Sequence, residues 1–343
     1  MTLQLALEAS IALVPVLVFF GALLYFDSYR LVSFREVALT LSAGAGLCVA
    51  SYYANAGLAS LLNIDFTQYS RYAAPFVEEG FKAIALIYLF ARNRIGFMID
   101  AAIMGFAVGT GFAVVENLYL LSVFRDASIG LWVIRGFGTA IMHGGATALF
   151  AMLVQTAIER KLKPLFLFGL AVWLVPVALH SVFNGFDSSP LGATLILIVM
   201  LPPMFLLIFS KDEQSVHTWL WTDYESHRHL LEELESGEFE ETSEGRIIRN
   251  LVEKLEHDEV ANVFTYIQIH TELVLRAEKM SIARETGELI VITEEDHVRF
   301  RRLHALEREI GHTILMTIRP HLHFSRRELW ELNEIKGELW RVQ

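Results

Sequence analysis

Residues 76–91 read FVEEGFKAIALIYLFA, so two adjacent glutamates and a lysine stand at the head of an apolar run long enough to enter a membrane. Reading this stretch as a membrane helix, charges included, decides the fold. Around it lie further apolar runs, each near the ~20 residues needed to cross a bilayer core. The whole set lies at approximately 6–26, 37–62, 69–90, 98–123, 130–158, 165–187 and 191–209. It predicts an all-α, polytopic membrane bundle of about seven transmembrane helices. Pro202 and Pro203 in the last run would kink a helix but are tolerated in membrane spans.

Composition agrees. Of 343 residues 54% are hydrophobic, and the mean hydropathy is +0.42; soluble domains lie nearer about 45–50% apolar. Residues 1–210 hold 11 basic and 11 acidic side chains, whereas residues 211–343 hold the remaining 17 and 28, so the whole net charge of −11 lies in the tail. The chain therefore divides into a membrane domain, 1–210, and an acidic, mainly helical, water-soluble domain, 211–343. The acidic balance argues against nucleic acid as a partner. Cys48, the only cysteine, lies in an apolar run and reads as a small hydrophobe. The first run carries Glu8, has no basic residue before it and lacks a clear small-residue cleavage site, so it reads as a retained helix.

Loop charges predict orientation. Arg30, Arg35, Arg92, Arg94, Arg160, Lys161 and Lys163 follow alternate spans, against Arg71 and Arg125 on the other side. The positive-inside rule then places the amino terminus outside and the tail in the cytoplasm. In the tail, Thr293 opens an acidic first turn followed by apolar residues at helical spacing, and Ser325 with Glu328 forms a second capping-box pattern. The break ETGELIVIT reads as a strand or a connector. His321 and His323 read as surface residues among charges.

Ionisable groups inside a membrane are costly and mark function by default. The candidates are Glu78, Glu79, Lys82, Glu116, His143 and His180, with Asn184 beside the last, one cluster on each of four consecutive segments. Helical spacing lets Lys82 pair with either glutamate. It also puts Phe112 on the face of Glu116, with Asn117 adjacent, and sets His180 one turn from Asn184. At about 1.5 Å of rise per residue, all lie in the outer half of the bilayer or near its midplane. Such a set can line one polar chamber. Carboxylates gathered there titrate as a coupled group, able to take a proton from water and deliver it to an amine leaving group. A histidine and an amide one turn apart can donate to a developing oxyanion. Glutamate and histidine also bind zinc, and Glu79, Glu116, His143 and His180 would be its ligands; no HExxH helix, serine loop or GxGD motif is present. The bland reading of each pair is a buried ion pair or interhelical glue.

In order, EEGFK (78–82), FAVVEN (112–117), the histidine of MHGGATALF (142–150) and HSVFN (180–184) resemble the PrsW family of intramembrane proteases, in the clan that holds the CAAX prenyl proteases. The resemblance covers roughly residues 70–190. It implies a helical protease of a bacterial inner membrane that cleaves a membrane-anchored protein, an anti-sigma factor in the founding case. Carried over by position, Glu78 and Glu79 would supply the general base and its partner. Glu116 and His143 would orient the attacking water or share its proton, and His180 and Asn184 would stabilise the oxyanion. Lys82 and Asn117 would be supports. The motifs themselves require no cofactor, and zinc is compatible with them. Lysine stands one position earlier here than the arginine of CAAX proteases, and Asn184 stands where PrsW relatives often carry aspartate. The acidic domain lies outside the resemblance and would bind a cytoplasmic partner. Two other function classes compete: a proton- or ion-coupled transporter, against which stands the lack of an inverted hydropathy repeat, and a non-catalytic membrane scaffold.

Overall fold

The computed structural model describes residues 3–25, 32–124, 127–185, 189–255, 260–286, 288, 290, 292–318 and 332. The chain separates into two compact units, Met1–Glu213 and Gln214–Gln343. Regular structure among the described residues is helical throughout, with no strand.

In the first unit α1 (Leu3–Tyr25) and α2 (Phe34–Leu62) precede a single turn, α3 (Phe66–Gln68), which runs through a π-helical stretch, Tyr69–Ala73, into α4 (Ala74–Ala91). Then come α5 (Met98–Val123), α6 (Ile129–Val133), a second π stretch at Ile134–Thr139, α7 (Ala140–Glu159) and α8 (Leu165–Asn184); α9 (Pro190–Ser236) begins in this unit, continues helical through Pro202 and Pro203, and ends in the second unit. Among the described residues, six helical segments are long and apolar enough to cross a membrane. The third predicted run, 69–90, is helical over Tyr69–Ala91, but Glu78, Glu79 and Lys82 keep it out of that apolar class.

α5 is the axis of the unit. It is apolar all round, as a helix enclosed by others must be, and is buried without interruption from Ile99 to Ala113. Glycines let neighbouring backbones touch it. A Cβ on Gly111 would stand 1.9 Å from the Leu41 carbonyl oxygen of α2, and one on Gly109 would stand 2.3 Å from the His143 carbonyl oxygen of α7. Small residues at these crossings provide the close packing that membrane helices use in place of a hydrophobic drive. One turn before Gly109, Phe106 stacks on Phe19 at 5.0 Å between ring centroids and meets Phe205 edge-on at 6.1 Å. Asp100 accepts hydrogen bonds from the Gly96 and Phe97 amides and so caps the helix start.

The second unit contains α10 (Ser243–Leu255), α11 (Val260–Thr286), α12 (Glu294–Ile310) and α13 (His312–Ile318) around a core that includes Ile248, Val252, Ile267, Leu303 and Leu306. Thr293 opens α12 with a reciprocal box. Its hydroxyl accepts from the Asp296 amide, and its own amide donates to the Asp296 carboxylate at 2.9 Å, an arrangement worth about 1 kcal/mol. Glu288, Ile290 and Ile292 lie in no regular element. The expected cap at Ser325 and Glu328 and the pair His321 and His323 fall outside the described residues.

Candidate active site

α4 presents its polar head to four neighbours. Spacing leaves Lys82 free to reach either glutamate, and the bundle selects Glu79: Lys82 Nζ donates to Glu79 Oε1 at 2.6 Å. The ammonium also lies 2.7 Å from His143 Nδ1 on α7 and 4.4 Å above the Phe112 ring of α5. Lys82 and His143 are fully buried. A buried charge pair is tolerable only when its remaining donors and acceptors are also satisfied, and here one carboxylate, one imidazole and one aromatic face do so.

The network extends both ways. His143 Nε2 lies 2.9 Å from Glu116 Oε2, and the other oxygen of Glu116 pairs with Arg135 at 3.0 Å. Arg135 Nε donates to Asn117 Oδ1 at 2.8 Å, and Asn117 donates onward to the Ala12 carbonyl. On the other side, His180 Nδ1 lies 2.9 Å from the same Glu79 oxygen that receives Lys82, and His180 Nε2 faces Glu78 Oε2 at 3.8 Å. Glu78 accepts from Asn55 Nδ2 at 3.3 Å, and Tyr69 donates its hydroxyl to Asn55 Oδ1 at 2.9 Å. The two histidine rings stand edge to face, 4.7 Å apart. One polar chain thus runs from Arg135 through Glu116, His143, Lys82, Glu79, His180 and Glu78 to Asn55.

Glu78, Glu79, Lys82, Glu116, His143 and His180 therefore meet, although they come from four helices. Asn184 does not join the chain: its amide donates to the Ser70 carbonyl at 3.0 Å and ties the end of α8 to the first π stretch. Asn117 orients Arg135 rather than facing the histidines. Sequence reasoning passed over Arg135, Asn55 and Tyr69. Arg135 carried a signal, being a cation five residues inside an apolar segment; it is brought to Glu116 by the second π stretch, a helical irregularity often found at functional sites. Asn55 and Tyr69 had none, since a neutral amide and a tyrosine in a span are unremarkable until a carboxylate is seen beside them.

Exposure separates the acids. Glu79 is 2% exposed, whereas the side chains of Glu78 and Glu116 are 15% and 28% exposed. The more exposed carboxylates are thus Glu78 and Glu116, and Glu79 lies internally between Lys82 and His180. One oxygen of Glu78 and one ring nitrogen from each of His143 and His180 lie within 4.8 Å of one another. This trio differs from the ligand set expected from sequence: Glu79 and Glu116 instead hold the histidines by their ring nitrogens.

The family model for PrsW family intramembrane metalloproteases matches residues 33–208, which contain every side chain of this network. No curated protein and no solved structure matches the chain.

Proposed function

The chain belongs to the PrsW family of intramembrane metalloproteases and is a peptidase of the membrane; on that premise we propose that it hydrolyses a peptide bond in a membrane-anchored protein at the Glu78–His143–His180 cluster. The observation that carries this reading is the convergence of one carboxylate and two imidazoles within 4.8 Å. The donor set fits a divalent cation such as zinc, because catalytic zinc sites use two histidines and a glutamate with one position left open. Glu78, His143 and His180 would hold it. The surrounding contacts fit too, since Glu79 accepts from His180 in the carboxylate–histidine arrangement that orients ligating imidazoles. A bound cation would polarise the scissile carbonyl and lower the cost of ionising water.

The remaining chemistry belongs to the side chains. Glu116, the more open acid, takes a proton from the attacking water and returns it to the leaving amine. Arg135 holds one Glu116 oxygen and so fixes the direction of the other. Lys82 and Glu79 keep His180 in place from within. Asn184 is tied to the backbone at Ser70, and on this reading it positions His180 rather than donating to the oxyanion. Substrates of this reading are single-pass proteins, an anti-sigma factor among them, and the acidic 211–343 domain recruits a cytoplasmic partner.

Membrane proteomes of cells carrying wild type or His180→Ala test the reading. At least one single-pass protein is expected to persist uncut in the variant. Identical processing of every membrane protein in both strains would remove the assignment. The same chain is proposed to sit in a bacterial inner membrane with its amino terminus outside, on the loop charges counted above. A fluorescent reporter that matures only in the cytoplasm, fused after Gln343, is expected to light up; a dark fusion at normal expression inverts the topology.

A further inference from the structure

The two histidines of the cluster are not in equivalent states. His180 uses Nδ1 against the Glu79 carboxylate at 2.9 Å. A carboxylate only accepts, so Nδ1 carries a proton, and in the neutral imidazole Nε2, facing Glu78, keeps its lone pair. His180 is therefore in the tautomer that a metal ligand requires. His143 has both nitrogens engaged. Glu116 lies 2.9 Å from Nε2 and, as an acceptor, claims the proton there; Lys82 Nζ lies 2.7 Å from Nδ1 and, as a pure donor, occupies the only lone pair. The imidazole has nothing left to offer a cation. Withdrawing Glu116 would not help, because Nε2 would still carry the proton. Withdrawing Lys82 would suffice: Nδ1 would be released, with Glu116 kept as the outer carboxylate that ligating histidines ordinarily have.

The movement is short, because the ammonium has a second anchor. Glu79 Oε1 receives it at 2.6 Å, and the Phe112 face lies 4.4 Å away. Lys82 can leave His143 without losing its carboxylate.

We propose that Lys82 is a built-in competitor for the catalytic cation, an ammonium latch that closes His143 Nδ1 and must swing toward Glu79 before a divalent metal binds. The inference rests on the metal reading given above and goes beyond it, since it assigns a regulatory role to a lysine that has no part in the hydrolysis. Two things follow from the charges. Lys82 holds the site together when no metal is present, and it weakens binding by placing a positive charge beside the cation's position.

The test is a titration of the purified full chain in detergent, stripped with chelator, with cobalt(II) alone. The readout is the visible absorption of a nitrogen- and oxygen-ligated ion, so no substrate is needed. Wild type, Lys82→Met, Lys82→Gln and His180→Ala are compared. Lys82→Met is expected to bind one cobalt about tenfold more tightly than wild type, within the range that second-shell changes produce. Lys82→Gln, which keeps a donor for Glu79 and answers the question if Lys82→Met fails to fold, is expected to shift in the same direction. His180→Ala is expected to lose the site. Equal or weaker binding by both lysine variants, with a His180-dependent site intact in wild type, overturns the latch and leaves the metal reading standing. Absence of any His180-dependent site in wild type and in the lysine variants overturns both.

Discussion

Glu78→Gln is expected to fold like the wild type and to cleave its membrane substrate about 10³-fold more slowly or worse, the scale of losing a group that acts directly on the reaction. The two adjacent glutamates make this the informative change. Glu79 is bound to a buried ammonium and to His180, so its removal strands a charge, a loss of roughly 3–5 kcal/mol that confounds activity with stability. Glu78 is more open and is tied to the bundle by the neutral amide of Asn55 at 3.3 Å. Glutamine keeps its shape and can still meet that amide through its own carbonyl oxygen. What it cannot do is carry the negative charge that a cation or a proton from water requires. The measurement is a time course on the single-pass protein recovered from the proteome comparison, with a detergent melting curve on the same sample. A rate within tenfold of wild type at unchanged melting temperature would show that Glu78 is outside the chemistry.

Gly111→Ala is expected to be among the most damaging single methyls in the membrane unit. Its Cβ would lie 1.9 Å from the Leu41 carbonyl oxygen, and the Gly44 Cβ position lies 2.1 Å from that of Val108. These neighbours are backbone, which has no rotamer to change, so α2 and α5 must separate along the crossing. Overpacking of this kind costs about 1–3 kcal/mol where side chains can yield, and here the upper end or more is expected because none can. The separation would also carry Asn55 away from Glu78, so residual folded protein should have reduced activity. Gly46→Ala is the control: it lies on α2, the other helix of this crossing, and faces open space, and an added methyl there favours the helix by up to about 1 kcal/mol. Melting and size-exclusion profiles of the two variants in one detergent decide the matter. A Gly111→Ala protein that melts with the wild type would mean that α2 and α5 do not touch at this crossing.

Much of the architecture was legible because membrane burial writes itself into composition. Apolar runs of bilayer length announced the helices, and the family followed from four ordered blocks whose polar residues are too expensive in lipid to be incidental. Gly105 and Gly109, four residues apart on α5, abut Ala148 and His143 on α7. The acidic cap at Thr293 was equally plain, since a capping box is completed within one helical turn.

Partner choice was not legible. Spacing of three or four residues allowed Lys82 to take either glutamate, and only the positions of α2, α7 and α8 around α4 decided that Glu79 turns inward to Lys82 and His180 while Glu78 turns toward Asn55. Glu116 lacked a basic residue one turn away in its own helix, yet it has Arg135, delivered by a π-helical stretch from the next span. Asn184 sits one turn from His180, which suggested that they share a target, but the end of α8 spends its amide on a backbone carbonyl. The sequence by itself thus determined which side chains are expensive enough to need partners, along with the helices that bear them, because both are consequences of local composition and the low-dielectric solvent. The tertiary structure decided who partners whom, and with that which ring nitrogen is bare, because hydrogen bonds act over about 3 Å and contacts at that range between separate helices are set by how the helices pack.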